Sequence, residues 1–131
     1  MKKNLITLCF LFGLVGTRAS AYNFEVDGIY YEITNSSDPY TVSVTYKNDN
    51  YNSYSGSVRI PSTVTYNGQV YTVTLIRGGA FQYCSDLSSV TISNNITQIG
   101  PSAFRGCSSL TSISIPNNVT NIDNHAFEDC N

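Results

Sequence analysis

Three cysteines of the 131-residue sequence stand at one fixed spacing, since Cys84, Cys107 and Cys130 follow each other at steps of 23 residues. Thiols placed in this way could ligate a metal ion, form a disulfide or line the inside of a repeating structure. A zinc site needs four convergent ligands, often supplied as C-x-x-C pairs, and the sequence contains no such pair. The spacing therefore favours a ladder of buried thiols, with a disulfide and a metal site as the alternatives.

The single histidine, His125, lies beside Asn124 and close to Asp123. Because serines are abundant, a Ser-His-Asp triad could be written down, but no serine has the flanking residues of a nucleophile elbow. We therefore predict that His125 is a solvated turn residue. The sequence predicts no catalytic residue, no cofactor and no metal, and hence no enzyme.

Carboxylate pairs for glycoside hydrolysis would have to come from acidic residues scattered over predicted turns and surface positions: Glu25, Asp27, Glu32, Asp38, Asp49 and Asp86.

The elements that would position these residues follow from the repeat itself. Ala-Phe pairs at 80–81, 103–104 and 126–127 keep the same step as the cysteines. The unit AFQYCSDLSSVTISNNITQIGPS aligns with AFRGCSSLTSISIPNNVTNIDNH, and a third unit begins with AFEDCN. Apolar positions coincide in both complete units, as in leucine-rich repeats with periods of about 20 to 29 residues. The alternation of apolar and hydroxyl residues predicts short parallel strands at Val90–Ile92 and Ile113–Ile115, with Val and Ile inward and hydroxyl residues outward.

The shared pattern A-F-x-x-C-x-x-L-x-x-I-x-I-x-N-x-[VI]-x-x-I resembles the BspA-like leucine-rich repeats from Ser57 to the end of the chain. The resemblance implies a mainly β fold, in which an N-terminal β-hairpin region leads into a short solenoid of 23-residue units. A solenoid unit buries its faces only against its neighbours, and about three units are needed for stability. We therefore expect either that the N-terminal region closes one end of the stack or that the chain is a piece of a longer array.

Residues 22–57 are predicted to form a tyrosine-rich N-terminal β region. Asp27-Gly28 and Asn67-Gly68 each stand between two strand-like runs, which predicts two-residue hairpin turns. A further strand is predicted over Tyr40–Tyr46. The stretch Val58–Pro61 mirrors a stretch of the later repeats but lies nine residues farther from its next Ala-Phe pair. Residues 58–131 are therefore predicted to be repeats, the first with a hairpin insertion and the last incomplete.

The N-terminus has the features of a secretory signal peptide: a positive start, an apolar run and a small-residue triplet at 19–21. We predict that residues 1–21 are cleaved after Ala21 and that the protein is secreted or at the cell surface. The apolar run is too short for a membrane span. Without this leader, four basic residues stand against nine acidic ones, and the net charge of −5 disfavours nucleic acid and anionic membranes as partners.

The outward side chains of the two predicted strands form rows of short hydroxyl and amide groups. Such a surface suits many weak hydrogen bonds to a protein or glycan, although the same residues would also keep an exposed strand soluble. The resemblance to the BspA-like family implies adhesion to extracellular-matrix proteins and epithelial cells by surface proteins of host-associated microbes. The candidate binding face consists of Ser89, Thr91, Ser93, Ser112, Ser114 and Asn117.

We therefore predict an exported binding protein that contacts host or matrix macromolecules. The alternative is a structural N-terminal cap of a longer array that has no ligand of its own. The unpaired strand edges after Ile115 and Ile122 could also pair with a second copy of the chain.

Overall fold

The computed structural model describes residues 20–131, so nearly all of the predicted leader lies outside the described residues. This part of the chain forms nine β-strands and no helix, which confirms the mainly β fold. The strands are β1 (Phe24–Val26), β2 (Ile29–Asn35), β3 (Thr41–Thr45), β4 (Gly56–Arg59), β5 (Thr63–Tyr66), β6 (Gln69–Ile76), β7 (Leu87–Thr91), β8 (Gln98–Ile99) and β9 (Asn121–Ile122).

Both predicted hairpins are present. The turn between β1 and β2 has φ values of 52° at Asp27 and 79° at Gly28, and the turn between β5 and β6 has 49° at Asn67 and 78° at Gly68. Asn, Asp and Gly tolerate this left-handed backbone better than other residues, and the primed turns that join paired strands require it. The strand predicted over Tyr40–Tyr46 is also confirmed, as β3.

Seven strands form one sheet that runs from the N-terminal region into the repeats, in the order β1-β2-β3-β6-β8-β9, with β5 pairing β6. Strands β1, β2 and β3 are antiparallel neighbours, whereas β3, β6, β8 and β9 pair in parallel. Ile76 pairs with Ile99, and Ile99 pairs with Ile122. The 23-residue period of the sequence is therefore one coil of a solenoid.

A second, two-stranded sheet pairs β4 with β7 in parallel, with Ser57 opposite Ser89 and Arg59 opposite Thr91. These partners are 32 residues apart, nine more than one period, and the β5–β6 hairpin lies between them. The strand predicted at Val90–Ile92 is found as β7, shifted toward its N-terminus.

The strand predicted at Ile113–Ile115 is not formed. Within residues 20–131, this segment could pair only with β7, and no later coil packs on its other side. Ile113 and Ile115 are half-buried, so the inward pull that holds Val90 and Ile92 in the core acts more weakly here. Strand formation in a stack depends on pairing with neighbours, and the sequence pattern alone does not supply it.

The core is continuous from β1 to the last coil. Its centre is a column of aromatic rings, one from each coil. Phe81 stacks on Phe104 with ring centroids 4.8 Å apart, and Phe104 stacks on Phe127 at 5.2 Å. Tyr54 of the N-terminal region extends the column, with its ring 4.6 Å from that of Phe81. The hairpin region and the repeats therefore share one core, which keeps the short β4–β7 sheet in a fixed position.

Candidate functional site

The exposed face of the β4–β7 sheet carries two of the residues singled out in the sequence, Ser89 and Thr91. In β7, Leu87 and Val90 are buried, while Ser88, Ser89 and Thr91 face solvent. We call Ser57 together with the predicted face (Ser89, Thr91, Ser93, Ser112, Ser114 and Asn117) the hydroxyl strip.

Two hydroxyls of the strip meet directly across the parallel strand pair. Ser89 Oγ donates a hydrogen bond to Ser57 Oγ over 2.8 Å, and both residues are exposed. Ser93 is half-buried instead, and its Oγ donates to the carbonyl of Pro61 over 3.1 Å. The hydroxyl of Ser93 therefore serves mainly to join two coils, whereas those of Ser57 and Ser89 remain accessible to a ligand.

Ser112, Ser114 and Asn117 are also exposed, but they lie in the segment that forms no strand. Part of the strip thus lies on the paired strands β4 and β7, whereas the part on the second coil lies on no strand. Ser57 was missed in the sequence analysis. The signal was present, because the match of Val58–Pro61 to the later repeats places Ser57 at the position of Ser112.

The cysteine ladder lies inside the coils. Cys84 and Cys107 are buried, Cys130 is half-buried, and all three thiols are free. Cys107 Sγ donates to the carbonyl of Phe81 over 3.0 Å, and Cys130 Sγ donates to the carbonyl of Phe104 over the same distance. Each of these two thiols therefore satisfies a main-chain acceptor of the preceding coil.

Burial raises the pKa of the Cys107 thiol to about 12, and the neighbouring thiols of Cys84 and Cys130 add to this shift. Burial raises the pKa of these two neighbours as well. A thiol with a raised pKa holds little of the reactive thiolate at neutral pH, so the ladder is poorly suited to nucleophilic chemistry. Within residues 20–131, no three His, Cys, Asp or Glu side chains lie together as a metal site.

His125 is an exposed turn residue with a φ of 60°, and its Nδ1 lies 3.3 Å from Glu128 Oε1. Glu32 forms an ion pair with Arg77. The other acidic residues considered for glycoside hydrolysis are exposed: Glu25, Asp27, Asp38, Asp49 and Asp86.

The repeating part of the chain matches a known family. Residues 74–131 match the family model described as "BspA type Leucine rich repeat region (6 copies)". This segment is a BspA-type leucine-rich repeat region. The BspA-type region begins inside β6, so it includes the end of the inserted hairpin and both complete coils.

Solved leucine-rich repeat structures are similar to a larger part of the chain, including its N-terminal region. A leucine-rich repeat protein from Bacteroides ovatus is 35% identical, with a TM-score of 0.72 over 83% of this chain and 27% of its own. The Treponema pallidum leucine-rich repeat protein is 26% identical, with a TM-score of 0.64 over 82% of this chain and 46% of its own. A leucine-rich cell surface protein from Faecalibacterium prausnitzii is 26% identical, with a TM-score of 0.55 over 87% and 35%.

The chain spans between about a quarter and a half of the length of these three relatives. No curated protein matches it. Among the described residues, no helix has the length and apolar character needed to cross a bilayer.

Proposed function

We propose that this chain belongs to an exported binding protein whose hydroxyl strip contacts a protein or glycan surface outside the cell. The observation that carries the proposal is the exposed Ser57–Ser89 hydroxyl pair on a sheet whose other face is packed in the core. Paired strands hold such groups about 4.8 Å apart, and a rigid row of donors and acceptors loses little conformational freedom on binding.

Two further observations support this proposal. The chain is similar to a Faecalibacterium prausnitzii protein described as a leucine-rich cell surface protein, and its first 21 residues have the features of a secretory leader. The ligand class that we propose is a macromolecule of the extracellular matrix, because a flat strip of short side chains suits an extended surface better than a small molecule.

Binding to immobilised basement-membrane matrix tests this function. Thr91→Lys with Ser114→Lys places two long cations on the strip and should weaken binding more than tenfold. Ser85→Lys with Ser108→Lys is the matched control, because these exposed serines are also 23 residues apart but lie in the turns after the cysteines. Equal losses in both variants would mean that charge, and not the strip, governs binding. Periodate treatment of the matrix separates glycan from protein as the bound component.

A structural role is the second candidate, and the shared core favours it. The seven-stranded sheet and the aromatic column join the N-terminal hairpins to the coils without interruption, as expected of a cap that closes a repeat array. Strand β9 is the last strand of its sheet, and Ile122 on it is 47% exposed. Under this hypothesis the chain binds no matrix component, and the β9 edge pairs with a further coil or a second copy. Sedimentation velocity at several concentrations would detect such self-association.

A further inference from the structure

A cleft of about 800 Å³ lies beside β4, on the side away from β7. Its walls are the turn between β1 and β2, strand β4 with the residues before it, and strand β5. This volume falls within the range of about 300 to 1,000 Å³ that ligand sites occupy in proteins. The cleft is separate from the exposed hydroxyls of β7 and of the second coil.

One wall of the cleft is an unpaired strand edge. Gly56 and Ile60 donate their main-chain N–H groups to the carbonyls of Asp86 and Thr91, over 2.9 Å each. Successive residues of a strand direct their main-chain groups to opposite sides, so Ser57 and Arg59 direct theirs away from β7. Within residues 20–131, β4 pairs with no other strand, so these donors and acceptors are open to the cleft.

A second unpaired edge borders the same cleft. Strand β5 pairs only with β6 among the described strands. Val64 lies opposite Tyr71 as a hydrogen-bonded pair of this hairpin, so the flanking Thr63 and Thr65 direct their main-chain groups outward. The hairpins on either side are held together, because Phe24 of β1 stacks on Tyr66 with ring centroids 4.2 Å apart.

The floor of the cleft is apolar and fixed in place. Ile29, Tyr54 and Val64 line it, and each is only 6% exposed. The Tyr54 hydroxyl accepts a hydrogen bond from the main-chain N–H of Tyr30 over 3.1 Å and donates one to the carbonyl of Thr45. Because this ring is buried, it does not offer the open aromatic face on which a sugar ring could stack. The cleft also presents polar side chains, among them that of Asp27, but its two open strand edges offer the hydrogen-bond pattern that an extended peptide matches, which favours a peptide over a glycan.

One charged side chain on β4 has no partner in the described part of the chain. Arg59 is exposed and lines the cleft, and it takes part in none of the ion pairs formed by residues 20–131. The side chains of Ser57 and Arg59 face outward, whereas Val58 between them packs against the core. A strand placed beside β4 would alternate in the same way, with apolar side chains toward the floor and a polar one next to the guanidinium.

We propose that this cleft binds an extended peptide, which adds as a strand to the open edge of β4. The peptide alternates apolar residues, which face the apolar floor of the cleft, with polar residues, one of which is acidic and pairs with Arg59. Strand addition of this kind takes its affinity from main-chain hydrogen bonds and its specificity from alternate side chains. Ser57 belongs both to this edge and to the hydroxyl strip, but the peptide site does not rest on the function proposed for the strip.

The test is a titration of the chain with the blocked hexapeptide Thr-Val-Glu-Val-Thr-Val, followed by amide NMR. Binding should shift the amide signals of Ser57 and Arg59 and slow their hydrogen exchange. Two N-methylated peptides probe the geometry, one methylated on its three Val residues and the other on the remaining three. Strand addition predicts that one methylated peptide binds more than tenfold more weakly than the unmethylated peptide while the other keeps its affinity, because only alternate N–H groups face β4. No binding at millimolar peptide, or an equal loss of affinity for both methylated peptides, would overturn the proposal.

Variants of Arg59 distinguish the contribution of its side chain to peptide binding from the contribution of its main-chain N–H group. Arg59→Ala should lower affinity for the Glu peptide several-fold and leave affinity for its Gln analogue unchanged. Arg59→Pro removes an N–H group that β7 does not use and should weaken both peptides more than tenfold. If Arg59→Pro does not fold, the N-methylated peptides still decide. Peptide affinity that survives in a folded Arg59→Pro variant, or that falls as much in Ser85→Lys with Ser108→Lys, would place the peptide elsewhere and refute the assignment.

Discussion

The two complete coils share one sequence pattern but bury it to different extents. In the first coil, residues 80–102, Leu87 and Ile99 are both fully buried. In the second, residues 103–125, the equivalent Leu110 is 5% exposed and Ile122 is 47% exposed. The same type of residue thus lies in the core of one coil and at the surface of the next.

The difference follows from the neighbours of each coil. The first coil lies between the N-terminal region and the second coil, so both of its faces are covered. The second coil is covered on its outer face only where residues 126–130 reach. Its corner at Ala103, Phe104 and Cys107 lies under this segment and is fully buried. Burial in a solenoid is therefore set by the adjacent coil, and one coil's own sequence does not determine it.

Phe104→Ala should have the largest effect, because this ring stacks on both sides and belongs to the covered corner of the second coil. We expect a loss of about 3–5 kcal/mol in the free energy of unfolding, from lost apolar contacts and the cavity left behind. Urea unfolding followed by circular dichroism measures it. A cost below about 1 kcal/mol would mean that the corner is not covered in solution.

The pair Ile99→Ala and Ile122→Ala addresses the contrast between the coils directly. Ile99 is fully buried, so its truncation should cost about 2–5 kcal/mol. Ile122 occupies the same position one coil later and is half exposed, so its truncation should cost less than about 1 kcal/mol. Similar costs in the same urea titration would show that something covers β9 in solution, and sedimentation velocity would then identify a second copy.

Alkaline pH should weaken the fold through Cys107. Burial raises the pKa of this thiol in the folded chain to about 12 from an ordinary value of 9.0. Above pH 9 the unfolded chain therefore binds fewer protons than the folded one, and the free energy of unfolding falls as pH rises toward 12. Unfolding of the natural chain and of Cys107→Ala, measured at pH 8, 9.5 and 10.5, should show a shallower decline in the variant.

Burial also raises the pKa values of Tyr31 and Tyr54, so these residues lower the free energy of unfolding of both proteins at alkaline pH. The comparison of slopes removes this shared contribution. A variant that declines as steeply as the natural chain would show that Cys107 does not contribute to alkaline unfolding.

Ser114→Ala should have the smallest effect. Ser114 is exposed on the outer side of the second coil, and its truncation should change the free energy of unfolding by no more than about 0.5 kcal/mol. Leu110→Ala in the same coil should cost about 2–5 kcal/mol, since that side chain is buried. Equal costs at both positions would reverse the assignment of inward and outward residues.

Local signals in the sequence were sufficient for much of this fold. Asp27-Gly28 and Asn67-Gly68 indicate their hairpins because these residue pairs tolerate the left-handed backbone that a two-residue turn requires. The recurring Ala-Phe and Cys positions specify the coil, because every unit must present the same side chains to its neighbours.

Features that depend on distant pairing were harder to predict. The segment at Ile113–Ile115 has a strand pattern but forms no strand. The prediction was wrong here because the pattern does not reveal whether a partner packs on both sides of the segment. The hydrogen bond from Ser89 to Ser57 spans the inserted hairpin, and the cleft beside β4 arises from two stretches that are separated in sequence, within residues 26–31 and 53–65. The exposed positions on β7 were predictable from alternation, whereas the open strand edges around the cleft were not.

The β5–β6 hairpin interrupts the repeat that precedes the first coil. It leaves after Pro61 and returns in register at Thr74, whose carbonyl accepts the N–H of Thr97 just as that of Thr97 accepts the N–H of Thr120. The corresponding exposed corners of the later coils lie at residues 94–95 and 117–118, just before the inward-facing Ile96 and Val119. For protein engineering, these corners are grafting sites, since a foreign loop whose two ends return to the same positions would leave the stacking unchanged. The entropic cost of such a graft grows only with the logarithm of its length. In evolutionary terms, the same tolerance lets a repeat gene gain or exchange surface loops one coil at a time.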